Sequence, residues 1–140
     1  MSKVAIVFWT GTGNTGIMAQ AIGDAAAAKG AEVTYLGPDA FSAADVDKYD
    51  AIAFGCPAMG AEVLEESEYE PMFEDVEGSL NGKKIGLFGS YGWGDGQWMR
   101  EWQDRVVAAG ANLVTDGVMA NYEPNEDVIE ECKNLGALLA

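Results

Sequence analysis

The sequence predicts an α/β domain: a parallel sheet of five strands with helices on both faces. Two observations predict it. Short apolar runs alternate with amphipathic stretches along the whole chain, the order that builds strand–helix–strand crossovers. Several of those runs, among them VAIVF, DAIAFG and KIGLFG, are continuously apolar instead of alternating, as strands covered on both sides must be. At 140 residues, with no repeat and no low-complexity linker, the chain has the length of one domain, 1–140.

Taken in order, Val4 to Phe8 is too short for a helix and rich in branched residues, and reads as the first strand. Ile17, Ala21, Ala25 and Ala28 recur at helical spacing, and Lys29-Gly30 closes that helix with a cation and a C-terminal glycine. Glu32 to Leu36 is the second strand, followed by a polar connection containing Pro and Ser. Asp50 to Gly55 is the third. Tyr69, Met72, Phe73 and Val76 mark a short helix. After the turn signal Asn81-Gly82, Lys84 to Gly89 forms the fourth strand. Trp98, Trp102, Val106 and Ala109 give another helix, ended by Gly110. Asn112 to Ala120 holds a glycine-interrupted fifth strand, and Val128, Cys132, Leu135 and Leu139 form the apolar stripe of a final helix.

Charge and composition narrow the function. Eight basic residues against 23 acidic ones, a net charge of −15, argue against nucleic-acid or anionic-membrane binding, which need local positive charge. Between Lys48 and Lys83 there is no basic residue, while Asp50, Glu62, Glu65, Glu66, Glu68, Glu70, Glu74, Asp75 and Glu77 all fall there. Such a stretch serves solubility or a partner with a basic docking face. There is no histidine, and the two cysteines, Cys56 and Cys132, form no C-x-x-C. Zinc fingers, thioredoxin-type chemistry and histidine acid–base catalysis are therefore poor fits. No apolar run has spanning length, and the first residues carry no signal-peptide pattern, so a reducing cytoplasm is expected.

In open parallel sheets, ligands bind beyond the carboxyl ends of the strands. The loops at 9–15, 56–62 and 89–98 are accordingly the ones to weigh. The first, WTGTGNT, joins a strand to a helix N-terminus, where unpaired N–H groups and the helix dipole favour an anion. Gly11 and Gly13 let the backbone wrap closely; Thr10, Thr12, Asn14 and Thr15 add neutral donors. The lysine of a nucleotide-hydrolysing P-loop is missing. G-x-G-x-x-G fits literally at Gly11, Gly13 and Gly16, but no acid ends the second strand as a dinucleotide site would require. A phosphate monoester held by neutral donors fits better than a merely tight turn. In the third loop Trp93 sits between Gly92 and Gly94, offering a flat face at a glycine-flanked tip, whereas Trp98 shares helical spacing with Trp102 and reads as core. The second loop offers Met59 and a Gly60 free to adopt positive φ. A flat ring between Trp93 and Met59, with its phosphate in the first loop, satisfies all three.

Those motifs, TGTGNT after the first strand, GCPAMG after the third and FGSYGWGDG after the fourth, together resemble the flavodoxins, most closely their short-chain branch from clostridia and related anaerobes. The resemblance implies a doubly wound sheet in the order 2-1-3-4-5 and noncovalent FMN. It implies a low-potential one-electron carrier between oxidoreductases, shuttling between semiquinone and hydroquinone, and not an enzyme. Thr10, Gly11, Thr12, Gly13, Asn14 and Thr15 then match the phosphate loop. Pro57, Ala58, Met59 and Gly60 match the inner flavin loop, and Glu62 the carboxylate that accepts from flavin N3–H. Ser90, Tyr91 and Gly92 match the wall along the pyrimidine edge. Trp93, followed by Gly94, matches the outer stacking aromatic. Pro57 stands where some relatives have a phosphate-holding serine, and Ala61 where relatives often have Asp. No metal is implied. The implied partners are ferredoxin-type oxidoreductases with basic docking faces, met by a monomer. A flavin-dependent NAD(P)H or quinone reductase on the same fold is the alternative, although the compact chain shows no insertion for a second substrate. A phosphoacceptor signalling domain would need aspartates where Trp9-Thr10 and Cys56-Pro57 stand.

Overall fold

The computed structural model describes residues 2–11, 13–59, 63–92 and 94–140. Its central sheet runs through β1 (Lys3–Phe8), β2 (Glu32–Leu36), β3 (Ala51–Gly55), β4 (Lys84–Tyr91), β5 (Asn112–Leu113) and β6 (Val118–Asn121). The helices are α1 (Asn14–Ala28), α2 (Tyr69–Glu77), α3 (Gln97–Ala108) and α4 (Glu126–Leu139). The strand order is β2-β1-β3-β4-β5, with β6 also on β4, and every pairing is parallel. The polar connection after β2 winds into two short 3₁₀ segments, Pro38–Ala40 and Ala43–Lys48.

The expected fifth strand is two strands. Asn112 and Leu113 pair with Lys84 and Ile85 at one end of β4, and Val118 to Asn121 pair with Phe88 to Tyr91 at the other. The chain between leaves the ladder, as the interrupting glycine suggested. β4 also runs two residues beyond the expected Gly89, so Ser90 and Tyr91 are strand residues held by β6.

Two cores sit on the two faces of the sheet. On one, α1 and α4 cover Val4, Ile6, Ala51, Ala53 and Phe88; on the other, α2 and α3 cover Ala5, Val7, Ile52, Phe54 and Leu87. In the second core Tyr69 and Phe73 each meet Trp102 edge-on, at ring centroid separations of 5.9 and 5.7 Å. Trp98 is buried, as its spacing predicts, and its Nε1 donates to the Cys56 carbonyl at 3.2 Å. That bond ties α3 to the start of the second loop.

The face of α1 is the clear departure. The residues it buries are Thr15, Met18, Ala19, Ile22, Gly23 and Ala26, whereas Ile17, from the expected stripe, is exposed and Ala21, Ala25 and Ala28 line an open groove against α4. With alanines on every side, apolar spacing alone does not choose a face. Close approach does: a Cβ on Gly136 of α4 would stand 2.2 Å from the Ile22 carbonyl, so this helix crossing depends on a glycine.

Candidate functional site

The carboxyl ends of β1, β3 and β4 open onto a cavity of about 290 Å³. It is lined by Trp9, Gly11 and Asn14 from the first loop, Pro57, Ala58 and Met59 from the second, and Ser90, Tyr91, Gly92 and Tyr122 from the ends of β4 and β6. The lining is mainly apolar and aromatic and contains no positive charge.

At one side of the cavity the first loop turns into α1. Gly13, at φ 97°, is the residue before the helix, a left-handed conformation that glycine adopts without strain. Its N–H donates to Thr10 Oγ1 at 3.0 Å, closing the loop on itself. The helix then starts with no side-chain cap and no acid in its first turn. Among the described residues no side chain meets its leading N–H groups, which suits an anion, whereas α4 begins on Asn125, which accepts from Val128 N, followed by Glu126 and Asp127. Thr15 lies behind the loop, buried, with its hydroxyl 3.1 Å from that of Ser90.

The second loop is pinned at several points. Cys56 N donates to the Phe88 carbonyl at 3.1 Å and Ala58 N to the Ser90 carbonyl at 3.0 Å. Met59 and Val63 exchange both backbone bonds, at 2.8 and 3.0 Å, in an isolated antiparallel bridge. Glu65 N donates to Cys56 Sγ at 3.4 Å, closing the loop at its base. Burial pushes the Cys56 thiol up to about 12, so at neutral pH it is a packing group and an acceptor, not a nucleophile.

Beyond the loop, the acidic run is not a uniform row of free charges. Glu65 is buried and caps α2: its carboxylate accepts from Ser67 N at 2.9 Å, Glu68 N at 2.8 Å, Tyr69 N at 2.9 Å and the Ser67 hydroxyl. Burial alone raises its pKa; the Ser67 hydroxyl and those three N–H groups outweigh it and hold the carboxyl down at about 2. Glu70 accepts from Nη1 and Nη2 of Arg105, both at 2.8 Å, and Glu77 accepts from Nη2 at 3.0 Å and Nε at 3.2 Å. Glu66, Glu68 and Glu74 are exposed.

Of the residues singled out from the sequence, Gly11, Asn14, Pro57, Ala58, Met59, Ser90, Tyr91 and Gly92 come together around the cavity. Thr10, Gly13 and Thr15 shape the first loop around and behind it. Gly94 is exposed at φ 97°. Thr12, Gly60, Glu62 and Trp93 lie outside the described residues. Two lining residues were missed, Trp9 and Tyr122. Both stand at carboxyl ends of strands, so the rule that selected the three loops also selects them.

Flat apolar walls beside an uncapped helix start with neutral donors fit an aromatic ring carrying a phosphate, the chemistry of FMN. Fold and site together define a doubly wound parallel α/β protein whose cavity lies at the strands' carboxyl ends, fronted by an anion-ready helix. The chain belongs to the flavodoxin family, whose model matches residues 6–136. It is 45% identical over 137 residues to the flavodoxin of Megasphaera elsdenii, covering 98% of both chains. It is 40% identical over 135 residues to that of Clostridium beijerinckii, covering 96% of this chain and 97% of that one. The solution structure of two-electron reduced Megasphaera elsdenii flavodoxin superposes with a TM-score of 0.89 at 46% identity, over 97% of each chain. Flavodoxins are FMN-binding electron carriers acting on redox partner proteins, not enzymes, and the reductase alternative is not favoured.

Proposed function

We propose that FMN occupies the cavity described above and that the chain works as a low-potential one-electron carrier with a single FMN-binding domain, 1–140. The observation that carries this reading is the convergence of three sequence-distant loops on one apolar cavity beside the start of α1, which among the described residues carries no side-chain cap. The N–H groups of that helix and the donors Thr10, Asn14 and Thr15, with Thr12 by resemblance, take the phosphate. Met59 and Ala58 cover one face of the ring, and the chain at Ser90 to Gly92 lies along its edge. By resemblance Trp93 covers the outer face, Glu62 accepts from the ring N–H, and Gly60 adjusts the loop tip. FMN supplies the one-electron chemistry when bound; the protein's part is to orient it, exclude water from its faces and withhold positive charge from its surroundings.

The partners are ferredoxin-type oxidoreductases with basic docking faces, met by a monomer, and not nucleic acid or membrane. The acidic run supports this, as does the absence, among the described residues, of any helix long and apolar enough to cross a membrane. Two buried, unpaired thiols, Cys56 and Cys132, support a cytoplasmic setting.

The test is a comparison of FMN with riboflavin on the apoprotein, read by quenching of flavin fluorescence. FMN is expected to bind more tightly by several kcal/mol, since each charge-assisted donor to the phosphate is worth about 1.5–3 kcal/mol. Equal affinity for the two removes the phosphate role of the first loop.

A further inference from the structure

Tyr122 has features that packing does not account for. Among the described residues it is the one non-glycine at positive φ, 60°, a left-handed conformation that costs an L-residue free energy. It gains no burial in return: its surface is 63% exposed. Yet its position is closely fixed. β6 pairs in register with β4 to the last residue, Tyr91 opposite Asn121. Tyr122 N donates to the Tyr91 carbonyl at 2.7 Å, while Asn121 Nδ2 donates to the carbonyls of Tyr91 and Gly92 at 3.3 and 3.1 Å.

These bonds set the ring down beside Gly92. A Cβ built on Gly92 would stand 3.2 Å from Tyr122 Cε1, so the ring lies against bare backbone at the rim of the cavity it helps line. A strained, exposed aromatic held by three hydrogen bonds at a cavity mouth has a surface waiting for a ligand.

We infer that Tyr122 is a ligand-contacting residue of the site, its ring forming the wall beyond Gly92, and that Asn121 is the positioning residue that holds it there. The inference rests on FMN being the occupant. Binding covers the ring and removes apolar surface from water, which offsets the strained backbone. In the empty protein the same strain is uncompensated.

Two measurements test it. The first is nitration of tyrosines by tetranitromethane, mapped by peptide, with and without FMN. Tyr35 is 41% exposed and does not line the cavity, so it serves as the internal control. FMN is expected to protect Tyr122 and leave Tyr35 unchanged. The second compares variants: Tyr122→Ala raises the FMN dissociation constant about tenfold, and Tyr122→Phe stays within about twofold of wild type. Tyr122→Gly raises the urea midpoint of the apoprotein while still weakening FMN, a reversal that a purely structural residue does not give. Asn121→Ala weakens FMN with Tyr122 present but adds little to Tyr122→Ala. If the wild-type chain binds FMN and Tyr122 is nitrated equally in both states, or Tyr122→Ala holds FMN as tightly, this inference is overturned alone. Failure of the wild-type apoprotein to bind FMN overturns it together with the reading of the site.

Discussion

The hydroxyls of Thr15 and Ser90 lie 3.1 Å apart although 75 residues separate them, and the N–H of Ser90 also donates to Thr15 Oγ1 at 3.3 Å. Both side chains are buried. The pair fastens the first turn of α1, where the first loop ends, to the strand end that forms the opposite wall. Thr15→Val keeps the shape and removes the hydroxyl, leaving Ser90 with unmet groups in an enclosed site. We expect a loss of about 1–3 kcal/mol in apoprotein stability by urea denaturation and a weaker FMN complex. A double-mutant cycle with Ser90→Ala is expected to show coupling between the two; strictly additive losses would deny the pair any joint role.

Glu65 makes stability depend on acid. Its carboxyl is held at about 2 in the folded protein against an ordinary 4.5. The stability this adds is therefore complete above about pH 4.5 and is lost as pH falls toward 2. Glu65→Gln, which cannot ionise, is expected to be less stable at pH 7 by about 1–2 kcal/mol, the scale of a lost helix cap. Its urea midpoint should also fall less steeply than that of wild type between pH 4.5 and 2. Parallel pH profiles for the two proteins count against the cap.

Arg105 links α2 and α3 by four hydrogen bonds to Glu70 and Glu77, with its guanidinium 4.9 Å from the Phe73 ring centroid. Arg105→Leu leaves two facing carboxylates, each about a quarter to a third exposed. An effect between the surface and buried extremes follows, about 1–3 kcal/mol. Arg105→Lys is expected to recover only part of it, because one ammonium cannot reproduce the paired fork. Added salt should narrow the gap between Arg105→Leu and wild type.

Docking to basic partners is best tested on Glu66, Glu68 and Glu74, which are exposed, and not on Glu65 or Glu70, whose loss would also disturb α2. With these three changed to Gln, electron transfer to a redox partner at low ionic strength is expected to slow and to lose part of its salt dependence. The urea midpoint should stay close to wild type. Unchanged rates at low salt would leave the acidic run a solubility feature.

Gly89→Ala probes how closely the loops are drawn together. A Cβ there would stand 2.2 Å from the Cys56 carbonyl and 3.2 Å from the Trp98 ring. Backbone must move, and that backbone begins the second loop. A destabilisation of about 1–3 kcal/mol is expected, together with weaker FMN binding. A crystal structure of the variant with Cys56 unmoved would contradict the argument.

The sequence by itself determined where the first four strands fall, their parallel arrangement and which loops meet at the cavity. Those follow from local information: continuous apolar runs, glycine-rich turns after strands, and a helix N-terminus directly after the first of them. Trp98 as core was equally legible, because its spacing to Trp102 repeats through α3. What tertiary structure decided is what depends on neighbours distant in sequence. The buried face of α1 was illegible because its alanines make nearly every face apolar, and Gly136 of α4 settled which one packs. The role of Glu65 was hidden within a run of like charges, since a cap and a surface carboxylate look alike until the loop returns to Cys56. Tyr122 belongs to the site because β6 pairs with β4 to its last residue, and a short strand's register is set by the sheet it joins, not by its own four residues.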